Sequence, residues 1–137
     1  MMKTVIHRLI FLIFLSGFSS LLWAQSNAQS VTILEPKNGA TVSSPFKVKF
    51  DVKGKKVAPA GTQDPDTGHH HLLINKGSLA QGEEIPFDKV HLHFGKGQTE
   101  SEVNLPPGKY RLTAQFADGE HRSYGSRYSH TIEITVK

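Results

Sequence analysis

The sequence predicts an all-β protein, an antiparallel sandwich of about seven strands, and three observations carry that prediction. After Gln29, hydrophobic residues recur with a period of two rather than 3.6, the repeat of a half-buried strand. Turn residues punctuate the chain, with 12 Gly and 7 Pro among 137 residues. No segment sustains a helical stripe, so the strands must bury their apolar faces against one another in two packed sheets.

The elements follow in order. Val31-Thr-Ile-Leu34 opens the domain and ends at Glu35-Pro36 and the Lys37-Asn38-Gly39 turn. Phe46, Val48, Phe50 and Val52 alternate with Lys47, Lys49, Asp51 and Lys53, the clearest strand in the chain. His69–Ile74, Val90–Phe94 and Glu100–Leu105 are shorter candidates. Tyr110, Leu112, Ala114 and Phe116 alternate with Lys109, Arg111, Thr113 and Gln115. Ile132, Ile134 and Val136 close the chain, alternating with Thr131, Glu133 and Thr135. Two long polar connections interrupt this series, Gly54–Gly68 and Asp118–Ser129, and loops on a rigid sandwich are where binding residues collect. In Leu105-Pro-Pro-Gly-Lys-Tyr110 a Tyr starts a strand directly after a tight turn. That placement matches the tyrosine corner, whose hydroxyl bonds back to nearby backbone, and it makes the expected sandwich immunoglobulin-like.

Residues 1–28 stand apart as a signal peptide. Lys3, His7 and Arg8 form a basic start, Leu9–Leu15 is apolar, and small residues allow cleavage after Ala28 or Ala24. A spanning helix needs about 20 mostly apolar residues, and Ser and Gly break this stretch earlier, so no membrane anchor is expected after cleavage. The remaining domain, 29–137, is then periplasmic or secreted. Cleavage removes two positive charges and no negative one, taking the net charge from +4 to +2. No long Lys/Arg run or basic helix remains, which argues against nucleic acid as a partner.

The chain has 0 Cys, and its 2 Met stand at positions 1 and 2. A disulfide framework, a thiolate zinc site, a cysteine nucleophile and an acylated lipoprotein anchor are therefore excluded. Any metal chemistry in the mature domain must use nitrogen and oxygen donors.

Nitrogen is abundant, because 8 His are present and five of them fall in His69-His70-His71 and His91-Leu92-His93. Alternate strand residues share a face about 6.6 Å apart, and neighbouring strands lie about 4.8 Å apart. If Leu72 and Ile74 face the core, His69 and His71 point outward and His70 inward; if Leu92 and Phe94 face it, His91 and His93 point outward. Two adjacent strands of this kind bring four imidazoles within reach of one ion, and His121 from the late connection can add a ligand. Imidazole without thiolate suits Cu²⁺ or Zn²⁺, and also Ni²⁺. His70, Asp66, Asp118, Glu120, Gln98 and Glu100 are candidates for orienting those rings or completing a ligand site. His130 shares parity with Ile132 and Ile134 and is expected at the sandwich rim. Gly95-Lys-Gly-Gln-Thr-Glu100 otherwise reads as a turn. Two other readings stand beside metal binding: histidines with ordinary structural hydrogen bonds, and an anion or small polar ligand site using Arg122 and Arg127.

Catalytic signatures are weak. Gly125-Ser126 lacks the rest of a nucleophile elbow, and neither cleavage position leaves the N-terminal His that a lytic copper oxygenase requires.

The words Gly68-His-His-His-Leu-Leu-Ile74, His91-Leu-His-Phe-Gly-Lys-Gly-Gln-Thr-Glu100, Leu105-Pro-Pro-Gly108 and Asp118-Gly-Glu-His121 occur in that order. Together they resemble the exported bacterial family of unknown function DUF4399, over roughly residues 60–137. Relatives often continue after Pro-Pro-Gly with His, where this chain has Tyr110. The resemblance implies a small β-sandwich outside the cytoplasm, and some similar proteins carry a rod-shape-determining label. It implies no established reaction. The expected function is thus an exported binding domain for a divalent metal or small polar ligand, with no turnover of its own. The alternative is a cell-envelope structural or interaction module, related to cell shape, that contacts an envelope protein and keeps its histidines structural.

Overall fold

The computed structural model describes residues 30–137, and the expected signal peptide lies outside them. Among the described residues nine strands form two sheets: β1 (Val31–Glu35), β2 (Thr41–Val42), β3 (Phe46–Val52), β4 (Lys56–Val57), β5 (Thr67–Ile74), β6 (His91–His93), β7 (Glu100–Val103), β8 (Gly108–Ala117) and β9 (Ser129–Val136). Each of the seven expected segments forms a strand; the two-residue β2 and β4 were not foreseen.

The smaller sheet has the order β1-β3-β7 and the larger β2-β9-β8-β5, with β4 and β6 both pairing the remaining edge of β5. The described residues form an all-β, two-sheet sandwich. Its core forms where the alternating positions meet: Val31, Ile33, Phe46, Val48 and Phe50 from the smaller sheet against Leu72, Leu112, Phe116, Ile132 and Ile134 from the larger. His130 ties the sheets together, its Nδ1 accepting a hydrogen bond from the Ile33 amide at 2.9 Å. Burial pushes its pKa down, which suits a ring nitrogen that must stay unprotonated to accept.

At the start of β8, the Tyr110 hydroxyl donates to the Pro106 carbonyl at 2.8 Å, closing the Pro-Pro-Gly turn onto the strand.

A third long connection, residues 75–90 between β5 and β6, is absent from the pattern-based expectation, and it decides the fate of the histidines. It is bound to the outward-facing residues of β8. Thr113 Oγ1 donates to the Lys76 carbonyl at 2.8 Å, and Gln115 Oε1 accepts from the Leu79 amide at 3.1 Å. Every residue of β5 is therefore buried, on both faces. His70, Leu72 and Ile74 face the sandwich, whereas Leu73 is buried outside its core, as is Ile85 of the connection itself.

Candidate metal centre

Strand alternation splits the triple histidine. His70 points into the sandwich, stacked on Phe50 with ring centroids 4.9 Å apart and meeting Phe116 edge-on at the same separation. His69 and His71 point the other way, their rings 4.6 Å apart. β6 pairs antiparallel with β5 in the register His71 with His93, Leu72 with Leu92, Leu73 with His91. The two histidine strands are thus direct neighbours, and the register selects one of the β6 histidines. His93 sits beside His71, its Nε2 3.2 Å from that of His69. His91 sits opposite Leu73, and its Nδ1 is hydrogen-bonded to Asp88 Oδ1 at 2.7 Å.

His121 arrives from the tight turn that opens the long connection between β8 and β9, at a φ of 66°. Its Nε2 lies 3.0 Å from that of His93. One nitrogen from each of His69, His71, His93 and His121 falls within 4.8 Å of all the others.

The protons of neutral imidazole cannot satisfy this arrangement. A ring nitrogen carries either one hydrogen to donate or one lone pair to accept. His93 Nε2 faces two Nε2 atoms, so in any tautomer one of the two contacts lacks a good hydrogen bond. His69 Nδ1 and both nitrogens of His71 are buried with no partner at all, although burying such a group unpaired costs about 1–3 kcal/mol. A cation at the shared point takes up several lone pairs at once. Metal–nitrogen bonds of about 2.0–2.1 Å place adjacent donors roughly 2.9–3.4 Å apart, depending on geometry, and the observed 3.0 and 3.2 Å fall within that span.

Electrostatics keep the rings in the ligating form. Burial, reinforced by the positive charges that His93 and His121 would carry, lowers the His69 pKa to about 4. Burial, then the charges that His69, His93 and His121 would carry, push His71 to about 2, and burial then His121 lower His93. Neutral imidazole is the species that binds metal, so no proton has to be displaced from these three rings at neutral pH.

Three of the sequence words that suggested a family therefore converge on one point: the triple histidine, His-Leu-His-Phe-Gly and Asp-Gly-Glu-His. Residues 48–137 match the family described as a domain of unknown function, DUF4399. The chain belongs to DUF4399. No curated protein and no solved structure matches it. The matched stretch of this DUF4399 domain contains all four clustered histidines and the connections that carry and cover them.

The other candidates occupy different places. Asp118 lies in the turn that bears His121, accepting the amides of Glu120 and Arg122 on Oδ1 at 2.9 and 2.8 Å. Glu120 is exposed and paired with Arg122. Arg122 also bonds Asp118 Oδ2 at 3.2 Å, so its charge is already answered by two carboxylates. Asp66 is exposed in the turn before β5, its amide bonded to Asp64. Gln98 Oε1 accepts the Lys96 amide at 2.8 Å and closes the glycine turn. Glu100 faces Lys47 and Lys49 on the smaller sheet.

Three contributors escaped the sequence reading. Phe87, 64% exposed, lays its ring against His121 and His93 at centroid distances of 4.7 and 5.2 Å. Gln115, opposite His71 in β8, is fully buried. Its Nε2 donates to the carbonyls of Gly125 and Tyr128 at 3.1 and 3.2 Å. Gly95 leaves room for the His93 imidazole, which a Cβ there would overlap. Ile85-Pro-Phe87 was the available signal for the covering segment: apolar residues in a long connection need something to cover.

Proposed function

We propose that this DUF4399 domain is an exported binding protein for a divalent metal ion, Cu²⁺ or Zn²⁺, held by His69, His71, His93 and His121. The convergence of three Nε2 atoms beside the unpartnered nitrogens of His71 carries this reading. Binding without turnover is favoured because four protein donors fill a tetrahedral site, whereas catalytic zinc sites keep a position open. A periplasmic or secreted setting is supported by the N-terminal sequence, with its basic start, apolar stretch and small residues at the cleavage position. An immunoglobulin-like classification is supported by the Tyr110–Pro106 hydrogen bond and by an outer strand, β2, that pairs parallel with β9.

The test is metal content. The protein is purified without an affinity tag of histidines, and Zn, Cu and Ni are measured by elemental analysis before and after chelation and reloading. One equivalent of metal is expected, and almost none in a variant with all four histidines replaced by Ala. Metal that stays sub-stoichiometric and indifferent to those replacements would sink the proposal and return the domain to the envelope-module reading.

A further inference from the structure

The fourth ligand comes from a loop, and one side chain shapes that loop. We propose that Asp118 is the positioning residue that makes His121 a metal ligand, an inference that rests on the metal reading above.

Asp118 bonds across the turn in both directions. Its Oδ1 accepts the Glu120 and Arg122 amides, its own amide donates to the Arg122 carbonyl at 2.9 Å, and its carbonyl accepts the His121 amide at 3.0 Å. These bonds fix the backbone on either side of His121 and hold it at a φ of 66°, a region where a residue with a Cβ is uncommon and needs support. Without the carboxylate the turn loses two of these four bonds, and with them the Arg122 side-chain bond to Oδ2. His121 then relaxes toward negative φ, which swings its ring away from His93.

The turn is also anchored on both sides. The Gly61 amide donates to the Gly119 carbonyl at 2.8 Å, and a Cβ on Gly119 would overlap the Thr62 carbonyl. On the other flank the His121 carbonyl accepts the Ile85 amide at 2.9 Å, two residues before Phe87. One short acidic turn thus presents the ligand and docks the segment covering the cluster. Asp118 acts here as a hydrogen-bond acceptor shaping backbone, and Asn can reproduce that role because its Oδ1 accepts the same two amides.

Cu²⁺ is the probe, titrated into the full-length protein against a competing chelator, with the nitrogen hyperfine pattern read by electron paramagnetic resonance. His121→Ala should weaken Cu²⁺ roughly 10–100-fold and change the spectrum. Asp118→Ala should reproduce both effects, and the double variant should be no weaker than either single one. Asp118→Asn should return to within about threefold of the parent with the parental spectrum. If Asp118→Ala fails to fold by circular dichroism, Asp118→Ser replaces it; its weaker turn should give an intermediate affinity. Parental affinity and spectrum in the Ala or Ser variant would overturn the proposal. So would multiplicative losses in the double variant, or an Asn variant as weak as Ala, which would make charge or direct ligation the operative property. A parent that binds no Cu²⁺ overturns the metal reading itself, whereas a parent that binds through His121 but ignores Asp118 overturns only this inference.

Discussion

His93 Nε2 lies 3.0 Å from His121 Nε2, although 28 residues separate them in the chain. One comes from a three-residue edge strand and the other from a tight turn, and both point at His69 and His71 on the buried strand between them. The fold gathers four imidazoles at one point while leaving His69 Nδ1 and both nitrogens of His71 buried without partners.

The two histidines of β6 should behave differently. His93→Ala is expected to weaken Cu²⁺ or Zn²⁺ binding by at least about tenfold, because His93 belongs to the cluster. His91→Ala should change affinity less than about threefold, because His91 bonds Asp88 instead. Isothermal titration of both variants makes the comparison, and equal losses would contradict the observed register.

Gly95→Ala should damage the site without touching a ligand. The new methyl group would overlap the His93 imidazole, so the ring must turn away or the strand must shift. Affinity is expected to fall as far as in His93→Ala while far-UV circular dichroism stays native. An unaffected affinity would mean that the His93 ring is not held where it is seen.

Acid should destabilise the metal-free domain well above the pH of general acid unfolding. Burial lowers the pKa of His69 and His70 to about 4 and of His71 to about 2, from an ordinary 6.5. Above pH 6.5 both folded and unfolded chains hold these rings neutral. Below it the unfolded chain takes up protons that the folded chain refuses, so stability falls as pH drops from 6.5 toward 4. Each ring contributes on the order of 1 kcal/mol per pH unit, a large share of a typical stability of about 5–15 kcal/mol. Urea midpoints measured from pH 7.5 to 4.5 should decline steeply, with the decline beginning near 6.5. A bound metal ion should raise the curve without changing its slope, because the folded rings are unprotonated with or without it, and midpoints independent of pH would contradict the buried neutral state.

His70 should be a costly residue. It lies fully buried between Phe50 and Phe116, and neither ring nitrogen has a partner. His70→Leu removes those polar atoms at similar volume and is expected to stabilise the domain by about 1–3 kcal/mol, seen as a higher urea midpoint with metal affinity retained. A lower midpoint would assign His70 a role that its present surroundings do not reveal.

Much of this was written in the order of the residues. Period-two alternation located seven strands, and the same parity separated His70 from His69 and His71, because the direction of a strand side chain is a local property of the backbone. Composition fixed the donor set at nitrogen and oxygen. Tyr110 after Pro-Pro-Gly announced a bond to upstream backbone, which Pro106 receives.

Which histidines meet was decided elsewhere. Alternation places His91 and His93 on one face but says nothing of their register against β5, and a shift of two residues would have exchanged them. Register follows from contacts between distant parts of the chain: β6 against β5, and the 75–90 segment against Thr113 and Gln115. That segment turned an outward face into a buried one and thereby lowered the pKa values of the rings it covers. The sequence by itself determined the strands, the parity and the available donors. Only the tertiary structure chose His93 over His91, brought in His121 from a turn, and removed water from His69 and His71.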